Sequence, residues 1–246
     1  MIDFIPLAVA ALAALLLAVL PRVRRKAPPR LRPIGGLTRL YRAFGLGIED
    51  GTRFLVALGG QSTLTPHAAS GLAGLALLRE VAQKASVSDQ PPLAASGDAA
   101  VALLSQDSLQ AGYRAVGAAE YFQPATGRLV GLTQFSSAAA IMTFLNDDRV
   151  SAAALIGHFG AEAALLADAA DRSGVFLLGA SSDPSAQAAL FATASDTLIG
   201  EELFAAPAYF SGRPSFVAGL TVQDILRWMV VIALLVGSAL KFVGLF

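Results

Sequence analysis

Two long apolar runs lie at the ends of the chain, and between them short apolar stretches alternate with helical ones. The first run extends from Phe4 to Leu20 and the last from Trp228 to Phe246. At a rise of 1.5 Å per residue, about 17 to 19 residues just reach across a hydrocarbon core of roughly 30 Å. Both runs are therefore read as transmembrane helices, residues 1–20 and 225–246. In the middle, Arg53–Leu58, Pro92–Ser96, Leu129–Leu132, Val150–Ile156, Val175–Leu178 and Asp196–Ile199 have the short apolar character of strands. The stretches between them have helical spacing: His67–Ser86, with Leu72, Leu75, Leu78 and Ala82 on one stripe, then Ala99–Val116, Ser136–Leu145, Ala161–Arg172, Pro184–Ala194 and Glu201–Phe210. Asp183-Pro184 is a good helix start, because Asp can cap and Pro suits the first helical position. Gly174 suits a helix stop.

Strands alternating with helices imply βαβ units and a parallel sheet, with right-handed crossovers placing helices on both faces. The expected fold is α/β: a Rossmann-like three-layer sandwich with a mostly parallel sheet of five or six strands, flanked by one transmembrane helix at each end. Strand order carries no signature in the sequence. The α/β domain is expected over residues 52–212, and a linker over 213–224.

Residues 21–51 have a different character. Between 21 and 35 there are four prolines and six basic residues, Arg22, Arg24, Arg25, Lys26, Arg30 and Arg32. Proline at this density favours an extended tether. Arg39–Leu46 is short and amphipathic. The basic block follows the first apolar run, the reverse of a cleavable secretory signal, so the run reads as an uncleaved anchor. By the positive-inside tendency its carboxyl end faces the cytoplasm. Arg227 and Trp228 make a matching interface at the last run. Arg22, Arg24, Arg25, Lys26, Arg227 and Trp228 are thus the expected membrane-interface residues. The protein would pass the bacterial inner membrane twice, with both termini outside and the central domain cytoplasmic.

Composition sharpens this picture. Hydrophobic residues make up 55% of the 246 and charged residues only 15%, and the mean hydropathy is +0.61. Cysteine is absent, which excludes disulfides and thiolate metal sites. With two histidines, His67 and His158, an all-protein zinc site would need carboxylates. The net charge is zero but unevenly spread: eight of the 18 basic residues fall between Arg22 and Arg42, and the remainder of the chain is acidic. An acidic body argues against nucleic acid as a partner.

In open parallel sheets ligands bind beyond the carboxyl ends of the strands. Those ends carry Gly60, Ser62, Thr63, Asp98, Thr133, His158, Ser181, Ser182, Asp183 and Glu201, which are the candidate ligand-binding residues. No G-x-G-x-x-G, P-loop, G-x-S-x-G or H-E-x-x-H motif is present, so no cofactor or metal is expected. His158 is a possible general base for Ser62 or Asp183. The alternative is a loop histidine that bonds locally. His67 after Pro66 reads as part of a helix start. Glu201-Glu202 reads as a pair of first-turn acids favourable to the helix dipole.

Gly157-His158-Phe159-Gly160 with Glu162 and Leu165-Leu166, and Thr197–Ala206 with Tyr209, resemble an uncharacterised bacterial membrane-protein family defined only as a domain of unknown function. The resemblance implies an anchor, an α/β domain and a C-terminal hydrophobic segment. It also implies a polar or acidic residue after the fifth strand, which Ser181-Ser182-Asp183 fits. It implies no activity. The expected function is a non-catalytic oligomeric scaffold or complex subunit, in contact with the lipid bilayer and with further copies or other membrane subunits. The alternative is a membrane-tethered small-molecule sensor using the strand-end rim, and an enzyme comes last. A rim filled by Phe159, Phe135 and Tyr209 would favour the scaffold, and an open one the sensor.

Overall fold

A computed structural model describes residues 4–23, 31–60, 65, 67–146 and 149–242. By contact the chain divides into two compact units, Met1–Arg32 with Ser211–Phe246, and Pro33–Phe210.

The second unit holds six strands: β1 (Arg53–Leu58), β2 (Leu93–Ser96), β3 (Gly127–Leu129), β4 (Val150–Gly157), β5 (Phe176–Ser181) and β6 (Asp196–Thr197). They form one sheet in the order β3-β2-β1-β4-β5-β6. Every pairing is parallel, in register from Leu58↔Ser96 and Leu58↔Ile156 to Ile156↔Ala180. The helices are α2 (Gly35–Glu49), α3 (Ala68–Ala85), α4 (Ala99–Ala115), α5 (Gln134–Leu145), α6 (Glu162–Arg172), α7 (Pro184–Thr193) and α8 (Glu202–Ser211).

The sheet is covered on both faces, so its central strands lack a polar side. Leu55, Val56, Ala57 and Leu58 of β1 are all 0–1% exposed, as are Ala152 through Ile156 of β4. Such strands read as unbroken apolar runs, not as alternating ones. Leu55, Ala57, Leu93, Ala153, Leu155 and Leu177 join Ile141, Leu145 and Leu166 in a core under α5, α6 and α7. On the other face α3 comes so close that Gly74 leaves no room for a methyl beside Leu58 and Ile156. Burying each of these leucines contributes about 2 kcal/mol.

Several boundaries differ from the sequence reading. The segment at Arg39–Leu46 is part of a longer helix, α2, which packs Leu37, Leu40 and Phe44 into the body. The glycines that hid it are close-approach positions: Gly36 lies on Leu178 and Asp196, and Gly47 on Ser151 and Thr52. The compact unit thus begins at Pro33. The third strand is Gly127–Leu129, ahead of the expected Leu129–Leu132. Val130 makes a last ladder bond to Ser96, after which Gly131 packs against Ser136 at the start of α5. The fifth strand runs on through Gly179 to Ser181, because Gly179 is needed for the contact with Leu190 of α7 and does not form a turn. Gly174 does adopt the left-handed backbone, φ +66°, that a helix stop requires.

The other unit contains α1 (Phe4–Val23) and α9 (Pro214–Phe242), which pack together. The expected linker over 213–224 is helical: Pro214 fits a first helical turn, and the helix continues unbroken to Phe242. Among the described residues one helix segment is long and apolar enough to cross a membrane, Pro214–Ser238, with mean hydropathy 1.7. A span at each end is therefore not what the described residues provide. The α1 helix closes on Pro21-Arg22-Val23. Its apolar part is about 17 residues, or about 26 Å, less than a hydrocarbon core of roughly 30 Å.

Candidate functional site

In this strand order the chain path reverses direction between β1 and β4, and that crossing is where open α/β sheets leave a crevice. Here the two strand ends touch. A methyl on Gly59 would collide with the backbone of His158. Over that contact lie two imidazoles, His67 from the start of α3 and His158 from the end of β4. Their ring centres are 4.1 Å apart and their planes 22° from parallel.

His158 is fixed from the neighbouring strand. Its Nδ1 makes a 2.9 Å hydrogen bond with Ser182 Oγ, and the Ser182 backbone N–H donates to Gly157 O. Beneath it, the fully buried Ser181 ties β5 to the β4 loop. Its Oγ accepts from Phe159 N at 3.1 Å and donates to Phe159 O at 2.8 Å. Burial of the His158 ring lowers its pKa below the ordinary 6.5, and His67 pushes the same way. Asp183 and Glu162 oppose this with negative charge. The imidazole is therefore neutral at neutral pH, with Nδ1 engaged by Ser182.

The acids of the rim serve the helices first. Asp183 caps α7, its Oδ1 accepting from Ser185 N–H at 2.7 Å and from the Ser185 hydroxyl. These bonds hold its carboxyl below the usual range. Asp98 caps α4 through Val101 N–H at 3.0 Å. Thr133 caps α5 in a reciprocal box with Ser136. Glu162, in the first turn of α6, turns back to accept from Gly160 N–H at 2.8 Å through Oε1. It is 3% exposed, and its Oε2 has no hydrogen-bond partner among the described residues. A β-carbon at Gly160 would stand 3.0 Å from that oxygen and 3.7–3.9 Å from the Gln134 amide.

Of the residues expected at the rim, His158, Ser181, Ser182 and Asp183 come together. Gly60 belongs to the same crossing and faces Gly97 across a backbone approach. Asp98 and Thr133 are occupied as caps. Glu201 follows the edge strand β6, two strands from β4. Ser62 and Thr63 lie outside the described residues. So do Arg24, Arg25 and Lys26 of the membrane-interface set. Arg22 falls within α1, while Arg227 and Trp228 are exposed on α9. The three aromatic residues whose filling of the rim would have favoured a scaffold lie elsewhere. Phe159 points into the core, Phe135 is 62% exposed, and Tyr209 lines a separate cleft with Leu37, Thr38 and Tyr41. Sequence reasoning missed the meeting of His67 with His158, and the roles of Glu162 and Gln134. The only hint was that glycines flank His158 on both sides.

Fold and site define a doubly wound α/β protein whose switch point holds a paired-histidine cluster. The chain belongs to the family DUF6754, a domain of unknown function, whose model matches residues 4–246. No curated protein and no solved structure matches the chain.

Proposed function

We propose that this protein is a membrane-anchored receptor domain that binds a small molecule at the carboxyl rim of its sheet, over the β1–β4 crossing. The observation that carries this reading is His158. It is held by Ser182 and stacked on His67 at the one place where the strand order reverses. A polar cluster so ordered costs free energy unless its atoms have work beyond packing. The intact chain in detergent, melted against a library of metabolites, tests it. A ligand that raises Tm in the parent and fails with His158→Ala supports the site. If no compound shifts Tm, the reading is lost.

The membrane part of the proposal rests on α9 and on the apolar, arginine-collared N-terminal run. The α9 helix supports attachment to a membrane; the arginine-collared N-terminal run extends the proposal to a two-pass bacterial inner-membrane protein with the α/β domain in the cytoplasm. Because the chain has no cysteine, Ala188→Cys on an exposed turn of α7 gives a single label site. An impermeant maleimide should react only after the cells are opened. Labelling of intact cells would reverse the topology.

A second reading, an oligomeric scaffold, has one observation in its favour. The free edge beside β3 carries the exposed apolar residues Leu129, Leu132 and Phe135. Mass measurement in detergent decides between a multimer and a monomer. An enzyme has the least support: Ser182 meets His158 on Nδ1, and among the described residues no carboxylate hydrogen-bonds the imidazole to orient it as a base.

A further inference from the structure

We infer that the rim takes a cationic, hydrogen-bond-donating ligand, an organic amine or guanidine, and that Glu162 Oε2 is the oxygen that receives it. This rests on the receptor reading above and names its ligand class. Four observations lead to it. First, the described residues that follow the strand ends, 59–60, 65, 67, 97–98, 130–133, 157–161, 181–183 and 198–202, contain no lysine or arginine. They contain Asp98, Asp183, Glu201 and Glu202, and Glu162 follows directly. An anion such as a phosphate would meet no countercharge there.

Second, three of the helix amino ends on the rim are already filled by the chain, while those of α3 and α6 have no side-chain cap. Asp98 occupies that of α4, Asp183 that of α7 and Thr133 that of α5. Third, Glu162 is a buried acid with one oxygen bonded and the other unpartnered. Such an atom is costly to bury and is stabilised by a donor, most of all a charged one. Fourth, Oε2 lies 3.0 Å from where a Gly160 β-carbon would stand, with the Gln134 amide 3.7–3.9 Å from the same point. Glycine at 160 thus keeps a side chain off the carboxylate, and Gln134 offers a neighbouring acceptor. A metal ion suits the site less well: among the described residues no three His, Cys, Asp or Glu side chains cluster as ligands.

The full chain in detergent is melted with methylammonium, putrescine or L-arginine, and separately with inorganic phosphate and ATP. We expect at least one of the amines to raise Tm and the two anions to leave it unchanged. Glu162→Gln keeps the Gly160 bond while removing the charge, and should abolish the amine response. Gly160→Ala keeps the charge and crowds the approach, and should weaken the response at least tenfold in half-saturating concentration. Asp171→Asn, an exposed acid at the far end of α6, should respond like the parent. Circular dichroism of each variant without ligand checks that it is folded. If phosphate or ATP raises Tm and His158→Ala removes that shift, the ligand class is overturned while the receptor reading stands. An amine response unchanged in both folded Glu162→Gln and Gly160→Ala also overturns the assignment. If neither the amines, the anions nor any metabolite shifts Tm, both readings fall.

Discussion

Where α2 crosses the sheet, polar side chains come in matched sets. Arg39 forms a two-pronged ion pair with Asp196. Thr52 and Ser151 share a hydroxyl bond at 2.6 Å, and Arg53 Nε donates to Gln90 at 2.9 Å. Phe44 meets Phe54 and Phe210 in tilted, edge-on contacts. At the carboxyl rim of the same sheet the pattern reverses. Side chains give way to Gly59, Gly60, Gly97, Gly157 and Gly160, and Glu162 keeps an oxygen without a partner. Two imidazoles lie face to face with one nitrogen of His158 tied down. The α2 side is organised to exclude water and hold its own groups. The rim ties most of its polar groups to the chain but leaves one buried carboxylate oxygen, Oε2 of Glu162, without a partner among the described residues, which is what a site that receives a donor requires. Changes on the α2 side should therefore cost stability and spare ligand response, and changes at the rim should cost ligand response, with stability lost only where the residue also caps a helix.

Phe44→Ala gives the largest expected effect. The ring is 4% exposed and touches two others, so its loss should destabilise the chain by about 3–5 kcal/mol. Chemical denaturation measures this. The rim's ligand response, at a temperature where the variant is folded, should keep its half-saturating concentration. A loss below about 1 kcal/mol would show α2 to be an appendage, not a wall of the core. Asp183→Ala comes next. It removes the α7 cap and should cost about 1 kcal/mol, while also withdrawing the negative charge that favours protonation of His158. An unchanged stability would mean that the Ser185 amide finds another acceptor.

The sheet was legible in the sequence because burial on both faces turns strands such as Phe54–Leu58 and Ala152–Ile156 into contiguous apolar runs. The α7 start was legible because Asp183 and Pro184 act locally. Strand order was not, since nothing in a βαβ unit's own sequence states which neighbour it joins. The α2 helix was half visible: its glycines read as breaks, whereas they mark close contacts with Leu178 and Ser151. For the site, the neighbourhood of His158 could be inferred from its place after an apolar strand. Its partners could not. Ser182 was assigned to the same rim without a pairing, and His67 was read as a helix start. The two histidines meet only because α3 and β4 bring distant segments to one crossing. The unpartnered oxygen of Glu162 depends on packing between α5 and α6, for which a sequence offers no periodic signal.

The smallest effect expected is also the most specific to the rim. His158 has its pKa lowered in the folded chain, so the unfolded chain binds a proton more readily between the folded value and 6.5. The favourable contribution is then complete above about pH 6.5 and declines as the pH falls through that interval, levelling off below the folded value. Asp183, lowered from 3.8, acts in a separate and more acidic range, where its stabilisation fades as the carboxylate is protonated. Melting the chain at intervals from pH 8 to pH 5 should show a shallow loss of Tm beginning near 6.5. His158→Asn should remove that slope. Because the chain has two histidines, NMR titration of their ring protons follows each one directly. His67→Ala relieves both the burial and the charge that hold His158 neutral, so the His158 midpoint should rise towards 6.5. A midpoint that stays put would mean that the stacked rings do not sense each other, and the rim would lose the contact that distinguishes it from the α2 side.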